Sequence, residues 1–190
     1  MSNKGRLIVV SGPTASGKST LWKRLAAHPD VDFSVSATTR GIRKGEVDGE
    51  DYLFISKEDF EQRIANDEFL EYATVHTNYY GTLRSSTEAS LNAGHDIVLE
   101  VDVQGALQLA ECELPMVSLF VVPPSREILI ERLRHRGTET EEQITTRLKV
   151  VDDELAFAKE YDYKLVNDDF ERMLAEAVSI LGYAKENSNG

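Results

Sequence analysis

The string Gly12-Pro13-Thr14-Ala15-Ser16-Gly17-Lys18-Ser19, directly behind the apolar run Leu7-Ile8-Val9-Val10, most narrows what this chain can fold into. It has the form G-x-x-x-x-G-K-[ST]. A buried strand delivers the chain into a turn of inward-facing backbone N–H groups, and a helix leaves it. Thr20 to Leu25 read as that helix, so its positive N-terminal end points at the bound anion. Lys18 is expected to reach the β/γ-phosphates of a nucleoside triphosphate, and Ser19 to ligate Mg²⁺. The triphosphate site is therefore expected to comprise Gly12, Pro13, Thr14, Ala15, Ser16, Gly17, Lys18, Ser19 and Thr20.

Apolar strand-like runs recur at 7–10, 33–36, 97–101, 117–122 and 163–166. Helical patterns fall at 18–27, 85–93, 125–136, 141–160 and 170–187. This alternation predicts an α/β fold with a mostly parallel sheet covered on both faces. Ile144, Leu148, Val151, Leu155 and Ala158 recur at helical spacing, and Thr140 with Gln143 forms a capping-box pattern ahead of them. Ser125, after Pro123-Pro124, is a candidate N-cap. From about Ser34 to Arg84 the alternation breaks. Short strand patterns at Tyr52–Ile55 and Leu70–Val75 surround one helix, Lys57–Ala65, with Ser56 as its cap. This reads as a small α+β lobe inserted into the core, a natural place for a second substrate.

With 190 residues the chain fits one domain and buries a core without disulfide or metal staples. Its single cysteine, Cys112, excludes a disulfide framework and suits a reducing compartment. No apolar segment reaches membrane-spanning length, and the first residues lack the apolar stretch of a secretory signal. A cytoplasmic protein with no membrane and no nucleic-acid partner is expected. The formal net charge of −12 argues against broad polyanion binding. It does not argue against a phosphate site, because charges beyond about 8 Å are largely screened at physiological salt.

Residues 36–54 are rich in anion-binding side chains. Arg40 and Arg43 lie three apart across a turn containing Gly41, so both guanidinium forks can converge on one phosphate. Tyr52 adds a phenolic donor, and a polar surface hairpin is the plain alternative. Asn78-Tyr79-Tyr80-Gly81-Thr82 reads as a tight turn carrying two aromatic hydroxyls. Glu100 and Asp102 close the apolar run Ile97-Val98-Leu99 at a strand's C-terminal end, the edge outside which ligands gather in open α/β sheets. No persuasive Ser/His/Asp or paired-carboxylate constellation for acid–base work stands out, and His28, His76, His95 and His135 share no spacing.

Taken together, these strings resemble the guanylate kinase family. The similar features are S-x-T-T-R-x-x-R-x-G-E-V-x-G-x-D-Y-x-F at 36–54, N-Y-Y-G-T at 78–82 and E-V-D-V-Q-G at 100–105. V-P-P-S at 122–125, R-L-x-x-R-G-T-E-T-E-E at 132–142 and V-N-D-D at 166–169 follow in order. The resemblance implies a single domain over 5–187: a core of 5–33, 85–136 and 147–187, a GMP-binding lobe at about 34–84, and a short mobile lid at about 137–146. It implies Mg²⁺-dependent transfer of the ATP γ-phosphoryl to GMP in purine nucleotide metabolism. Arg40, Arg43, Tyr52 and Tyr80 would hold the GMP phosphate. Ser36, Glu71, Thr82 and Asp102 would read guanine. Lys18, Arg136 and Arg147 would serve catalysis, while Arg132 and Arg134 could simply be solvated helix charges. Asn167 would lie near adenine, and Ser19 with Glu100, directly or through water, would organise Mg²⁺. Asp102 is open to guanine, metal-bound water or both. Monomer and homo-oligomer are equally compatible with the sequence.

The chain departs from the family pattern in its phosphate loop. Guanylate kinases commonly show a Ser-Gly pair after Gly-Pro, where this chain has Thr14-Ala15-Ser16, a wording similar to that of tRNA dimethylallyltransferases. A glycine is thereby missing at Ala15, which questions the backbone geometry there. Some family members also carry Asp where Glu100 stands.

Overall fold

The computed structural model describes residues 4–75, 77–135 and 140–183. The chain opens with β1 (Leu7–Ser11), α1 (Lys18–Leu25) and β2 (Val31–Phe33). It continues through β3 (Ala37–Thr38), β4 (Leu53–Phe54), α2 (Lys57–Ala65), β5 (Phe69–Val75) and β6 (Asn78–Leu83). Then come α3 (Arg84–Ala93), β7 (Asp96–Glu100), α4 (Val103–Ala110), β8 (Met116–Val122) and α5 (Arg126–His135). The chain closes with α6 (Glu141–Ala156), a 3₁₀ turn at Phe157–Glu160, β9 (Tyr163–Val166) and α7 (Phe170–Leu181).

Five parallel strands form one sheet in the order β2-β7-β1-β8-β9. All of β1 is buried, as expected of a central strand with helices on both faces. Its side chains alternate. Ile8 and Val10 pack with Leu21, Leu25, Met173 and Ala177 on the α1/α7 face, and Leu7 and Val9 with Leu91 and Leu109 on the α3/α4 face. Fully burying each such side chain contributes roughly 1.5–3 kcal/mol. The parallel register places Val10 beside Glu100, so the loop after β1 and the carboxylates after β7 emerge at one edge.

The second sheet has four strands in the order β4-β3-β6-β5. Residues 78–82, expected as a tight turn, are the strand β6, antiparallel to both β3 and β5. Strand alternation explains the two tyrosines. Tyr79 faces Phe60 and Phe69 in the lobe's own core, whereas Tyr80 faces the opposite way, toward the main sheet. The two sheets are joined by three residues between β2 and β3, and by none between β6 and α3.

Other elements shift for local reasons. The first lobe-side strand is 31–33, not 33–36. Val31 and Phe33 supply the pairing with β7, and after the Ser34 N–H donates to the Val98 carbonyl (3.0 Å) the chain turns away. The long helix stops at Ala156 and tightens into the 3₁₀ turn, a common way of satisfying terminal carbonyls. Its start matches expectation, with the reciprocal Thr140–Gln143 capping box in place. Ser125 caps α5 by accepting from the Ile128 N–H (3.2 Å). Helix α4 is not legible in the sequence, because Gly105 interrupts a short, wholly apolar-and-amide run. Asp102 nevertheless starts it, accepting from the Gly105 N–H at 2.8 Å. Of the expected lid, 140–146 form the N-cap and first turns of α6, and 137–139 lie outside the described residues.

Candidate active site

The phosphate loop spans the gap between β1 and α1. Gly17 ends it at φ 99°, and a side chain there would place Cβ 2.1 Å from the Asn167 amide nitrogen. That amide donates to the Ser16 carbonyl at 2.8 Å, so the residue after β9 ties down the loop. Asn167 thus holds the loop through its side chain, and with Ala15, Gly17, Arg132 and His135 it also lines a cavity of about 360 Å³ beside it. Ala15 adopts φ 60°, the left-handed region that glycine would enter freely. Gly12 and Thr14 face the cleft, and the Pro13 carbonyl accepts from the Ser16 N–H at 3.3 Å and from Lys18 Nζ at 3.5 Å. Ser16 is buried, whereas Ser19 and Thr20 are exposed on the first turn of α1.

Three carboxylates gather opposite the loop. Glu100 Oε1 lies 3.8 Å from Lys18 Nζ and accepts from the Ser19 hydroxyl at 3.3 Å. Trp22 Nε1 donates to Glu100 Oε2. Asp102 faces the same cleft, with one oxygen committed to capping α4. Glu154, from α6, is the third; burial pushes its carboxyl above the usual range, with nearby Lys18 opposing the shift. Nothing in the sequence marks Glu154 beyond its place beside the apolar stripe residue Leu155. A hydroxyl and a carboxylate within reach of a phosphate loop are hard oxygen donors of the kind Mg²⁺ takes, so this set fits the ion.

On the lobe wall, Ser36, Tyr52, Glu71 and Tyr80 face Lys18 and Glu100 across one cleft of about 300 Å³. Glu71 is 5% exposed and accepts from the Thr82 hydroxyl at 2.6 Å. Burial raises its pKa from 4.5 to about 7; the Thr82 hydrogen bond opposes the rise and Asp102 adds to it. A Cβ on Gly105 would lie 2.5 Å from Glu71 Oε2, so the α4 backbone forms the floor on which this carboxylate rests. Tyr52 and Tyr80 meet edge to face (5.9 Å, 72°), and burial pushes the Tyr52 hydroxyl pKa up. The Arg40 guanidinium lies 5.4 Å over the Tyr52 ring and forks onto Glu46 at 2.7 and 3.0 Å. Those hydrogen bonds push its pKa further up. Arg43 joins the cluster through its backbone N–H, which donates to Glu46 at 2.7 Å, and its side chain is exposed.

The arginines of α5 and α6 divide differently from expectation. Arg132 is half-buried and donates to the Asn167 carbonyl at 2.9 Å, so it belongs to the loop's surroundings and is not a solvated charge. Arg134 is exposed and forks onto Glu141 at 2.8 and 2.9 Å. Arg147 is exposed on α6, and Arg136 lies outside the described residues.

Comparison with known proteins agrees with this architecture. The family profile described as "Guanylate kinase" matches residues 4–183. A guanylate kinase of Clostridium perfringens (strain SM101) is 48% identical over 181 residues, 95% of this chain and 84% of that protein. One from Symbiobacterium thermophilum is 49% identical over 179 residues, 94% of this chain and 85% of the relative. The crystal structure of guanylate kinase from Anaplasma phagocytophilum superposes with a TM-score of 0.77 at 35% identity, covering 95% of this chain and 86% of that one. With a phosphate loop and a lobe carboxylate facing each other across one cleft, and with relatives this similar over nearly all its length, the chain belongs to the guanylate kinase family.

Proposed function

We propose that the cleft between the two sheets is the site of the reaction, with ATP phosphates on the loop wall and GMP on the lobe wall. As a guanylate kinase, the chain transfers the γ-phosphoryl of ATP to GMP, giving ADP and GDP. The observation that carries the site assignment is that Lys18 and Glu71 line one continuous cleft.

Each side chain then has a physical task. Ionised Glu71 is acceptor-only and takes the N1–H and 2-amino donors of guanine, while the Ser36 hydroxyl donates to O6. Adenine presents a lone pair at N1 and would leave Glu71 unpaired, a mismatch worth roughly 10⁴–10⁵ in discrimination in favourable cases. Thr82 orients Glu71, and Asp102 borders the same floor. Arg40, held by Glu46 over Tyr52, meets the GMP phosphate together with Arg43, Tyr52 and Tyr80. Gly12 to Thr20 cradle the ATP phosphates, Asn167 and Arg132 keep the loop in shape, and Arg136 and Arg147 act from the lid side. The acceptor is already a phosphate oxyanion, so no general base is required. Catalysis comes from in-line alignment and from neutralisation of charge by Lys18 and the arginines. Ser19 and Glu100 would hold Mg²⁺, directly or through water, and the ion would supply further neutralisation on the ATP phosphates.

The enzyme is read as cytoplasmic; no helix of the described residues is long and apolar enough to cross a membrane. The deciding experiment is a coupled ADP-release assay with ATP against GMP, AMP, CMP, UMP and ribose bisphosphate. A response confined to guanine nucleotides is expected, and equal responses across bases would refute the guanine-reading assignment.

A further inference from the structure

Trp22 lies one helical turn beyond Lys18 and three residues beyond Ser19, so all three side chains share one face of α1. Its indole stacks on Phe33 at the end of β2, with centroids 3.9 Å apart and planes 8° from parallel. Phe33 pairs with Val98 in the sheet, and Glu100 lies two residues further along on the same face of β7. The stacked ring therefore presents its N–H to Glu100, which accepts through Oε2. Oε1 is left facing the Ser19 hydroxyl at 3.3 Å and Lys18 Nζ at 3.8 Å. The indole thus holds Oε2, which the Ser19 hydroxyl also approaches at 3.5 Å, and leaves Oε1 the nearer oxygen to both Ser19 and Lys18.

We propose that Trp22 is a positioning residue for the cation that accompanies ATP, fixing the rotamer of Glu100 so that one oxygen is free to face the triphosphate site. Partners that orient a metal-ligating carboxylate typically change metal affinity by 10–100-fold when removed. The proposal rests on the assignment of Glu100 and Ser19 to Mg²⁺. The indole–carboxylate geometry, with the Phe33 stack behind it, is what distinguishes Trp22 from an ordinary packing residue.

The test is W22F, which keeps the ring on Phe33 and removes only the donor. Binding of ATP is measured calorimetrically across a Mg²⁺ series, alongside GMP binding. The expected result is about a tenfold increase in the Mg²⁺ concentration needed for half-maximal enhancement of ATP affinity, with metal-free ATP affinity and GMP affinity unchanged. An unchanged Mg²⁺ requirement overturns the proposal, as does an equal loss of binding with and without Mg²⁺, which would mark a packing role. Wild-type ATP affinity indifferent to Mg²⁺ overturns the underlying cation assignment and this proposal with it. A second readout needs no variant. Trp22 is the only tryptophan in the chain, so its emission reports the contact directly. Adding Mg²⁺ to the ATP-saturated protein should change that emission, and an unresponsive signal overturns the proposal.

Discussion

Thr82 and Glu71 are register partners across β5 and β6, and the Thr82 hydroxyl donates to Glu71 Oε1 at 2.6 Å in a fully buried contact. A hydrogen bond to a charged group is worth about 1.5–3 kcal/mol. T82V keeps the side-chain shape and removes the donor, so the carboxyl pKa should move above 7 and KM for GMP at neutral pH should rise about tenfold or more. KM for ATP should stay within twofold, and T82S should restore the wild-type value. Steady-state kinetics on the three proteins decide the matter.

The same carboxyl gives the enzyme a pH signature. On the proposed assignment guanine recognition would use the charged, acceptor-only form of Glu71, whose pKa burial lifts from 4.5 to about 7. Below pH 7, kcat/KM for GMP should therefore fall toward tenfold per unit, and E71Q should lose that slope along with most guanine preference.

Stability runs in the opposite sense. Between pH 4.5 and 7 the folded protein holds a proton that the unfolded chain releases, so this contribution to stability is lost as pH rises through 7. E71Q should raise Tm more at pH 8 than at pH 5.5. Equal gains at both values would show that Glu71 does not titrate in this window.

Gly105 should be intolerant of even a methyl group, for a reason separate from helix stability. Alanine improves a helix interior by roughly 0.5–1 kcal/mol over glycine. The added Cβ would nevertheless lie 2.5 Å from Glu71 Oε2, against a carboxylate with little room to retreat. G105A is expected to raise KM for GMP at least tenfold and to lower Tm, because the overlap outweighs the helix gain, while ATP affinity changes little.

Ala15 carries a cost that a glycine would not. At φ 60° an L-residue is disfavoured by roughly 1–2 kcal/mol, partly offset by the extra freedom of glycine in the unfolded chain. A15G should stabilise the protein by about 1 kcal/mol, which moves Tm up by about 2–4 °C in a domain of this size. Thermal melts of the two proteins provide the check.

What could be read from the sequence follows from how local each signal is. The phosphate loop, the Thr140–Gln143 box and the Ser56 and Ser125 caps each depend on residues within a few positions, and all are in place. The missing glycine at Ala15 was legible as a question about geometry, and the backbone answers it with a left-handed φ. Helix α4 and strand β6 escape pattern reading because each is short and contains a glycine. Gly105 is there to admit Glu71, and the Cβ position at Gly81 is filled by the Phe60 and Phe69 rings. Contacts made by tertiary folding carry no local signature at all. Arg132 looks like a surface charge until β9 brings the Asn167 carbonyl to it, and Glu154 looks solvated until α6 lays it beside Lys18.

The connections between the two sheets carry a mechanical consequence. One side crosses in three residues, 34–36, anchored by the Ser34–Val98 hydrogen bond, and the other passes from β6 into α3 without a spacer. Such joints are too short to act as slack tethers, so any change of angle between the sheets is taken up by a handful of backbone torsions. Torque on the lobe is delivered to β2, whose Phe33 carries the Trp22 ring, and to α3. The distance from Glu71 to Lys18 is therefore geared to the main sheet through both joints, and lengthening residues 34–36 alone would leave the direct β6–α3 joint in control of it.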